Sequence, residues 1–313
     1  MERINPSSSA NSSKVYQLMI VGNGEMANTN FSIVARALIR SRQLRFKNKA
    51  NFPYLSGDGF ASLANLKIEK NSDLEIYSKL QKVPRVVYVR SDLVEQLLDI
   101  KKISVEEHIL LAGNSDFNFK SIAIFTQSIF SRFYLQNSFV SNNINIFTLP
   151  IGIENLSKGI NGIPSNLNNN TSWEEKNSNV MVGPFSPTHV ERLNLLDQIC
   201  HKNSMVSMYD AFISPKKFAK LMNQHRYVLC PQGNGIDTHR FWEALYRGCV
   251  PIILKSEWSL SLDYLNIPMI QLEKWQDLEF EVEKFGESFP GFDPSDLSFL
   301  WIDYWQKMLH LPK

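Results

Sequence analysis

The residues best suited to chemistry lie between Cys230 and Leu254, in the run Cys-Pro-Gln-Gly-Asn-Gly-Ile-Asp-Thr-His-Arg-Phe-Trp-Glu-Ala-Leu-Tyr-Arg-Gly-Cys-Val-Pro-Ile-Ile-Leu. Gly233 and Gly235, with Asn234 at the tip between them, lack side chains that would hold a ligand away from the main-chain N–H groups. A helix is expected to begin at Asp237 or Thr238, followed by His239. Its first N–H groups have no intrahelical acceptors, which makes the helix start an anion site suited to a diphosphate. Arg240 in the first turn adds a charge-assisted contact. Glu243 lies one turn further on the same face, placed to accept hydrogen bonds from hydroxyl groups. A plainer reading of the same residues is also open. Arg240, Glu243 and Arg247 can form a ladder of ion pairs on a wet helix face. Asp237 can be an N-cap whose charge competes with a phosphate. His239 and Glu243 stand four apart, but with no third ligand in sight the pair does not predict a metal site.

These residues need a scaffold that delivers them to a cleft. Residues 227–230 read as a buried strand, 238–247 as the helix and 250–254 as the returning strand. Upstream, 180–182 and 205–208 read as strands, and 188–200 and 215–224 as helices. Arg192 stands near the start of the first of these helices, a cation available to an anionic ligand. An earlier α/β pattern has strands at 86–89 and 108–111, a helix over 91–100, and short strands or apolar turns at 122–125, 133–135 and 144–149. Before it, 16–21 reads as a strand, 22–24 as a tight turn and 31–42 as a helix. Strands alternating with helices predict an α/β fold with mainly parallel sheets.

The expected organisation is a disordered lead-in over 1–14, an N-terminal α/β domain over 15–155, a linker rich in Asn, Ser, Gly and Pro over 156–179, and a second α/β domain over 180–290. An amphipathic C-terminal helix is expected over 291–313, with Asp293 as cap, Pro294 as first helical residue, and Leu297, Trp301, Tyr304, Trp305 and Met308 on one broad face.

Composition narrows the classes of function. With 33 basic and 31 acidic residues the net charge is +2, which gives no reason to expect nucleic acid as a partner. No apolar run is long enough to span a bilayer, and the polar first residues hold no secretion signal. Cys200, Cys230 and Cys249 sit in apolar or helical contexts and fit reduced thiols, so the expected location is cytoplasmic. The basic segment 36–49 reads as a solvated helix face, with peripheral contact to an anionic acceptor or membrane surface as the alternative.

The stretch from Gly233 to Pro251 resembles the signature of exostosin-like glycosyltransferases, a GxG…(S/T)xRxxEAxxxGCxP pattern. Gly233, Gly235, Thr238, Arg240, Glu243, Ala244, Gly248, Cys249 and Pro251 each match it. Residues 109–116, 149–155 and the Thr188…Glu191-Arg192 helix start are similar to bacterial relatives of that family, so the resemblance covers roughly residues 85–274. Those relatives carry a His before Asn-Ser-Asp where this chain has Gly113, so a base role for that His does not carry over.

The resemblance implies a GT-B-like fold, two Rossmann-type α/β domains facing a cleft. It also implies inverting transfer of a sugar from a nucleoside diphosphate sugar to a glycan or polyol-phosphate hydroxyl, with no metal and no cofactor. Arg192, Gly233, Asn234, Gly235, Thr238, His239, Arg240 and Glu243 are the expected donor-site residues. Asp116 and Glu154, in loops after first-domain strands, are the candidates for the catalytic base. The alternatives are a sugar-nucleotide epimerase or hydrolase using the same pocket, and a non-catalytic nucleotide-sugar binder. No Asp-x-Asp follows an apolar strand, so a metal clamp on the diphosphate is not expected.

Overall fold

A computed structural model describes residues 51–119, 121, 123–126, 128–139, 145–158, 161–167, 171–199, 205–209 and 213–310. The lead-in, strand, turn and helix expected before residue 43 lie outside the described residues. The described helices and strands run α1 (Gly57–Leu63), β1 (Leu66–Ile68), α2 (Asn71–Lys79), β2 (Val86–Arg90), α3 (Val94–Asp99), β3 (His108–Gly113), β4 (Phe130–Leu135) and β5 (Ile146–Thr148). They continue with β6 (Asn177–Val182), α4 (Val190–Ile199), β7 (Val206–Met208), α5 (Pro215–Asn223), β8 (His225–Leu229), α6 (His239–Tyr246), β9 (Val250–Leu254), α7 (Glu257–Leu260), β10 (Ile270–Leu272), α8 (Leu278–Ser288) and α9 (Ile302–His310).

The strands form two five-stranded parallel sheets, ordered β1-β2-β3-β4-β5 and β10-β9-β8-β6-β7. In the first sheet each strand pairs with its successor in the chain. In the second, β7 lies on one side of β6 and β8 on the other, so the winding reverses between β6 and β8. In open α/β sheets such a reversal sends the loops at the carboxyl ends of the two strands to opposite faces, and ligands bind in the crevice between them.

Both sheets are covered on two faces, so their central strands carry continuous buried apolar runs, such as 109–112 of β3, 180–182 of β6 and 227–229 of β8, rather than alternating. The pleat sends Val86 and Tyr88 of β2 into a central cluster, and Val87 and Val89 into a cluster on the far face of the first sheet. Met181, Val228 and Ile253 of the second sheet join the central cluster, while Val180, Leu229 and Ile252 enter a third on its outer face. The central cluster is thus shared by both sheets, α6 and α9. Phe241, Trp242, Ala244, Leu245 and Tyr246 of α6 are all buried in it.

The stretch 156–179 contains 3-10 turns at Leu156–Lys158 and Pro164–Asn166, a buried Leu167 and the first residues of β6. The single helix expected over 291–313 is not formed. Pro294–Asp296 and Ser298–Leu300 are separate 3-10 turns, and the α-helix begins at Ile302. The break has a local cause: Leu297 (φ −90, ψ 83) and Trp301 (φ −112, ψ 138) leave helical geometry, and Trp301 bridges to Tyr54. Cys230 and Cys249 are buried free thiols.

Candidate active site

The crevice between β6 and β8 is where the predicted donor residues gather. Beyond β6 the chain runs Gly183-Pro184-Phe185, and beyond β8 it runs Cys230 to Gly235. Arg240 enters from the first turn of α6, and its guanidinium lies between two aromatic rings, 4.6 Å from the Phe185 centroid and 5.0 Å from that of Phe218. Its Nη2 donates to the Pro184 carbonyl at 2.6 Å. Arg192, on α4, faces the same Phe185 ring at 5.7 Å. Its Nη1 donates to Ser186 O and Thr188 Oγ1, both at 3.1 Å, and its Nη2 to Pro231 O at 3.4 Å.

Two cations therefore share one ring, and none of the ion pairs among the described residues involves either of them. Burial pushes the Arg240 pKa down to about 10, with Arg192 adding to the effect, and burial lowers that of Arg192 as well. Arg192 Nε and Arg240 Nη1 are buried and donate to nothing. A cation with an unused buried donor and no ion-pair partner is costly to hold in isolation.

The glycine loop fits around these groups. A Cβ on Gly233 would lie 2.8 Å from Arg192 Nη2, and one on Gly235 would lie 2.6 Å from Asn137 Oδ1. The space the glycines leave is thus used by protein groups that hold the loop. Glu191 Oε1 accepts the Gln232 N–H at 3.2 Å, and the loop closes on itself through Gly233 N to Gly235 O at 3.1 Å. Asn234 is exposed at the tip. Thr238 is the N-cap residue of α6, and its hydroxyl makes no capping bond.

Asp237 does not cap α6 toward the crevice. Its buried carboxylate accepts from Ile151 N at 2.8 Å and Trp242 Nε1 at 2.7 Å, tying the helix to the loop after β5. Burial pushes its pKa up to about 7 despite those bonds. His239 Nδ1 donates to Gly152 O at 2.8 Å, a second tie to the same loop.

Glu243 is buried, and its carboxylate accepts no hydrogen bond from a described residue. Burial raises its pKa, opposed by the charges of Arg247, His239 and Arg240, and Glu154 across the interface raises it further. The surface ion-pair ladder is not what forms. Arg247 is buried and donates instead to main-chain oxygens, Glu243 O and Asn166 O, both at 2.9 Å. Glu154 is partly buried, and its Oε2 accepts Asn161 N at 2.7 Å. Asp116 is exposed on the loop after β3, apart from this group.

The family model for the Exostosin GT47 domain matches residues 106–267, just over half of the chain. The chain belongs to the exostosin GT47 family. Its match runs from the start of β3 through β9, so it takes in the glycine loop, α6 and both arginines, while α1 and α2 fall outside it. The pair of five-stranded parallel sheets is the GT-B-like arrangement expected of such an exostosin domain. A curated relative, "Probable glycosyltransferase At3g07620" of Arabidopsis thaliana, is 26% identical over 110 residues. That alignment covers 34% of this chain and 23% of the relative, so the chain spans under a quarter of that protein's length.

Sequence reasoning missed Phe185 and Phe218, which sandwich Arg240, and Asn137, which is buried and bonds Asp237 N at 3.1 Å. Phe185 was findable, because it lies three residues beyond a predicted strand. Phe218 and Asn137 carried no local signal. Among the described residues no group of three or more His, Cys, Asp or Glu is placed to hold a metal ion, and no helix is long and apolar enough to cross a membrane.

Proposed function

We propose that this exostosin-family chain is an inverting glycosyltransferase, moving a sugar from a nucleoside diphosphate sugar to a hydroxyl of a glycan or polyol-phosphate without a metal ion. The observation that carries the reading is the pair Arg192 and Arg240, partly buried, outside every ion pair among the described residues and each with an unused buried N–H, at the point where the second sheet reverses its winding. Ligands of open α/β sheets bind at such reversals. A diphosphate supplies the two negative groups that this cation pair lacks.

In the reaction the arginines meet the charge that develops on the leaving diphosphate, an electrostatic role fixed before the substrate arrives. Gly233, Asn234 and Gly235 present the loop main chain to the phosphates, with the Thr238 hydroxyl beside the start of α6. Glu243, whose carboxylate accepts no hydrogen bond from a described residue, accepts from sugar hydroxyls. His239 keeps the helix against the acceptor-side loop. The acceptor proton passes to a carboxylate of the first sheet's loops, facing the donor across the cleft.

A thermal-shift screen tests the reading, comparing nucleoside diphosphates, nucleoside diphosphate sugars and the corresponding nucleosides. Ligands that bind the native state raise its melting temperature. Diphosphates should stabilise the wild type and not Arg240→Met. Equal shifts with nucleosides lacking phosphate would remove the arginine pair from the argument.

A further inference from the structure

The start of α1 reads Ser56-Gly57-Asp58-Gly59, and residues from two other segments, at 114 and 155–157, close around Asp58. Asp58 Oδ1 accepts from Asn114 Nδ2 at 3.3 Å, and Oδ2 from Ser157 Oγ at 3.1 Å. Asp58 N donates to Asn155 Oδ1 at 2.8 Å, and Asn155 Nδ2 donates to Asn114 Oδ1 at 2.9 Å, closing a ring of three side chains. The cradle is tightly built. Asn114 adopts a left-handed backbone (φ 56), and a Cβ on Gly57 would lie 1.7 Å from its Oδ1.

The ring stands at the carboxyl ends of β3 and β5, on the edge that meets the second sheet. Leu55, three residues before Asp58, donates its N–H to the Tyr246 hydroxyl of α6 at 2.8 Å and accepts from Ile153 N at 2.8 Å. Asn155 adjoins Glu154, whose charge reaches Glu243 of the same helix.

We propose that Asp58 is the general base of the transfer, with Asn114 and Ser157 as positioning residues; the assignment rests on the transferase reading above. The acceptor oxygen bonds to the anomeric carbon as the bond from that carbon to the diphosphate oxygen breaks. The electron pair leaves with the diphosphate, and the hydroxyl proton goes to the Asp58 carboxylate.

Several observations separate Asp58 from its rivals. Both of its oxygens are fixed by neutral donors and neither by a cation, so it can take a proton without breaking an ion pair. It is only partly buried, leaving lone pairs for an incoming hydroxyl. Arg90 holds Asp92 in an ion pair, and Lys82 holds Glu106. Asp116 is exposed. Glu154 Oε2 is occupied by Asn161 N, and the side chain faces the like charge of Glu243. Strand β3 itself supplies no base at residue 113, where a Cβ on the glycine would lie 2.9 Å from the Tyr88 hydroxyl and 3.0 Å from Gln136 Oε1. That Tyr88 hydroxyl is buried without a hydrogen bond; burial favours its protonated form, and the Asp58 charge adds to the effect.

The test compares wild type, Asp58→Asn, Ser157→Ala and Glu154→Gln as full-length chains. Released nucleoside diphosphate is followed with UDP- and GDP-hexoses and a panel of oligosaccharide acceptors. A lost general base should lower kcat of Asp58→Asn by about 100-fold or more while its affinity for the donor nucleotide stays within about twofold. The acidic limb of its rate profile should vanish. Ser157→Ala should lower kcat with donor affinity unchanged, because the carboxylate loses a bond that fixes its position. Glu154→Gln should leave the limb in place.

Turnover of Asp58→Asn within about threefold of wild type, or a slowed variant that keeps the acidic limb, overturns the assignment. If Asp58→Asn does not fold, an unchanged kcat in Ser157→Ala overturns it and a lowered kcat at unchanged donor affinity supports it. A wild-type chain that neither binds nor turns over any donor overturns the transferase reading, and this assignment with it. Normal turnover with an indifferent Asp58 overturns the assignment alone.

Discussion

Replacing Arg240 by Met should separate the helix's structural role from its role toward an anion. Met fills a similar apolar volume and adapts to irregular space. In the free protein the guanidinium carries a penalty. A pKa lowered from 12.5 to about 10, mainly by burial, corresponds to about 3 kcal/mol against the charged form, at 1.36 kcal/mol per pH unit. Met relieves that penalty and gives up two cation–π contacts, each about 1 kcal/mol, with Phe185 and Phe218. It also gives up the bond to Pro184 O, about 1.5–3 kcal/mol for a charged donor. These terms oppose each other and leave a net cost of about 0.5–2 kcal/mol, so the urea unfolding free energy should fall by no more than about 2 kcal/mol. Affinity for a nucleoside diphosphate should behave differently. Loss of a charge-assisted bond should weaken it by about 1.5–3 kcal/mol, or about 10- to 150-fold in Kd, read by titration calorimetry. A variant destabilised by well over about 3 kcal/mol with unchanged diphosphate affinity would refute the reasoning and make Arg240 a packing residue.

Further outcomes can be checked on the same protein. Because burial raises the Asp237 pKa above its ordinary 3.8 to about 7, its protonation favours the folded state; that contribution is complete below about pH 4 and lost as pH rises through about 7. Wild-type stability should therefore fall across that window by up to about 1.4 kcal/mol per pH unit more steeply than in Asp237→Asn; equal slopes in urea melts would count against it. Tyr246→Phe should cost about 1–3 kcal/mol by the same melts, since Leu55 N–H and Leu300 C=O lose their buried partner, with diphosphate affinity unchanged. Sugar transfer should survive excess EDTA; activity that disappears and returns with Mn²⁺ would mean that a metal, rather than the arginine pair, meets the leaving charge.

The stretch from Tyr227 to Leu254 was legible because each of its segments carries a local signal. A β-branched and aromatic run predicted β8. A glycine pair marked the loop, and Gly248, with φ 63, ends α6 where an L side chain would be strained. The ten described strands are short, and β1 and β10, three residues each at the outer edges of their sheets, were not read from the sequence. The C-terminal helix was misread for a different reason. Asp293-Pro294 does make a capped turn, with Asp293 Oδ1 accepting Ser295 N at 2.8 Å, but nothing local showed that Trp301 would leave helical geometry to bridge Tyr54. Arg192 and Arg240 were nameable from spacing, whereas their shared ring and missing carboxylate depend on β6 lying beside β8. Asp58 was invisible for the same reason: its partners come from residues 114, 155 and 157.

The contacts between the two sheets concentrate on the helix that bears the proposed donor residues. Asp237 binds Ile151, His239 binds Gly152, Tyr246 binds both Leu55 and Leu300, and Asn137 takes the Asp237 N–H. Between these ties sit Arg240 and Glu243. Displacement by a direct attack needs the reacting atoms held about 3–3.5 Å apart and aligned. In the proposed reaction one carbon belongs to a sugar held by α6, and the attacking oxygen to an acceptor held by loops at 55–58, 114 and 151–157. Fixing α6 at its start to the loop after β5 and at its end to Leu55 and Leu300 sets the donor against the acceptor in one step. It also accounts for the buried polar character of Asp237, whose desolvation is costly and would serve no purpose in a helix that only had to pack.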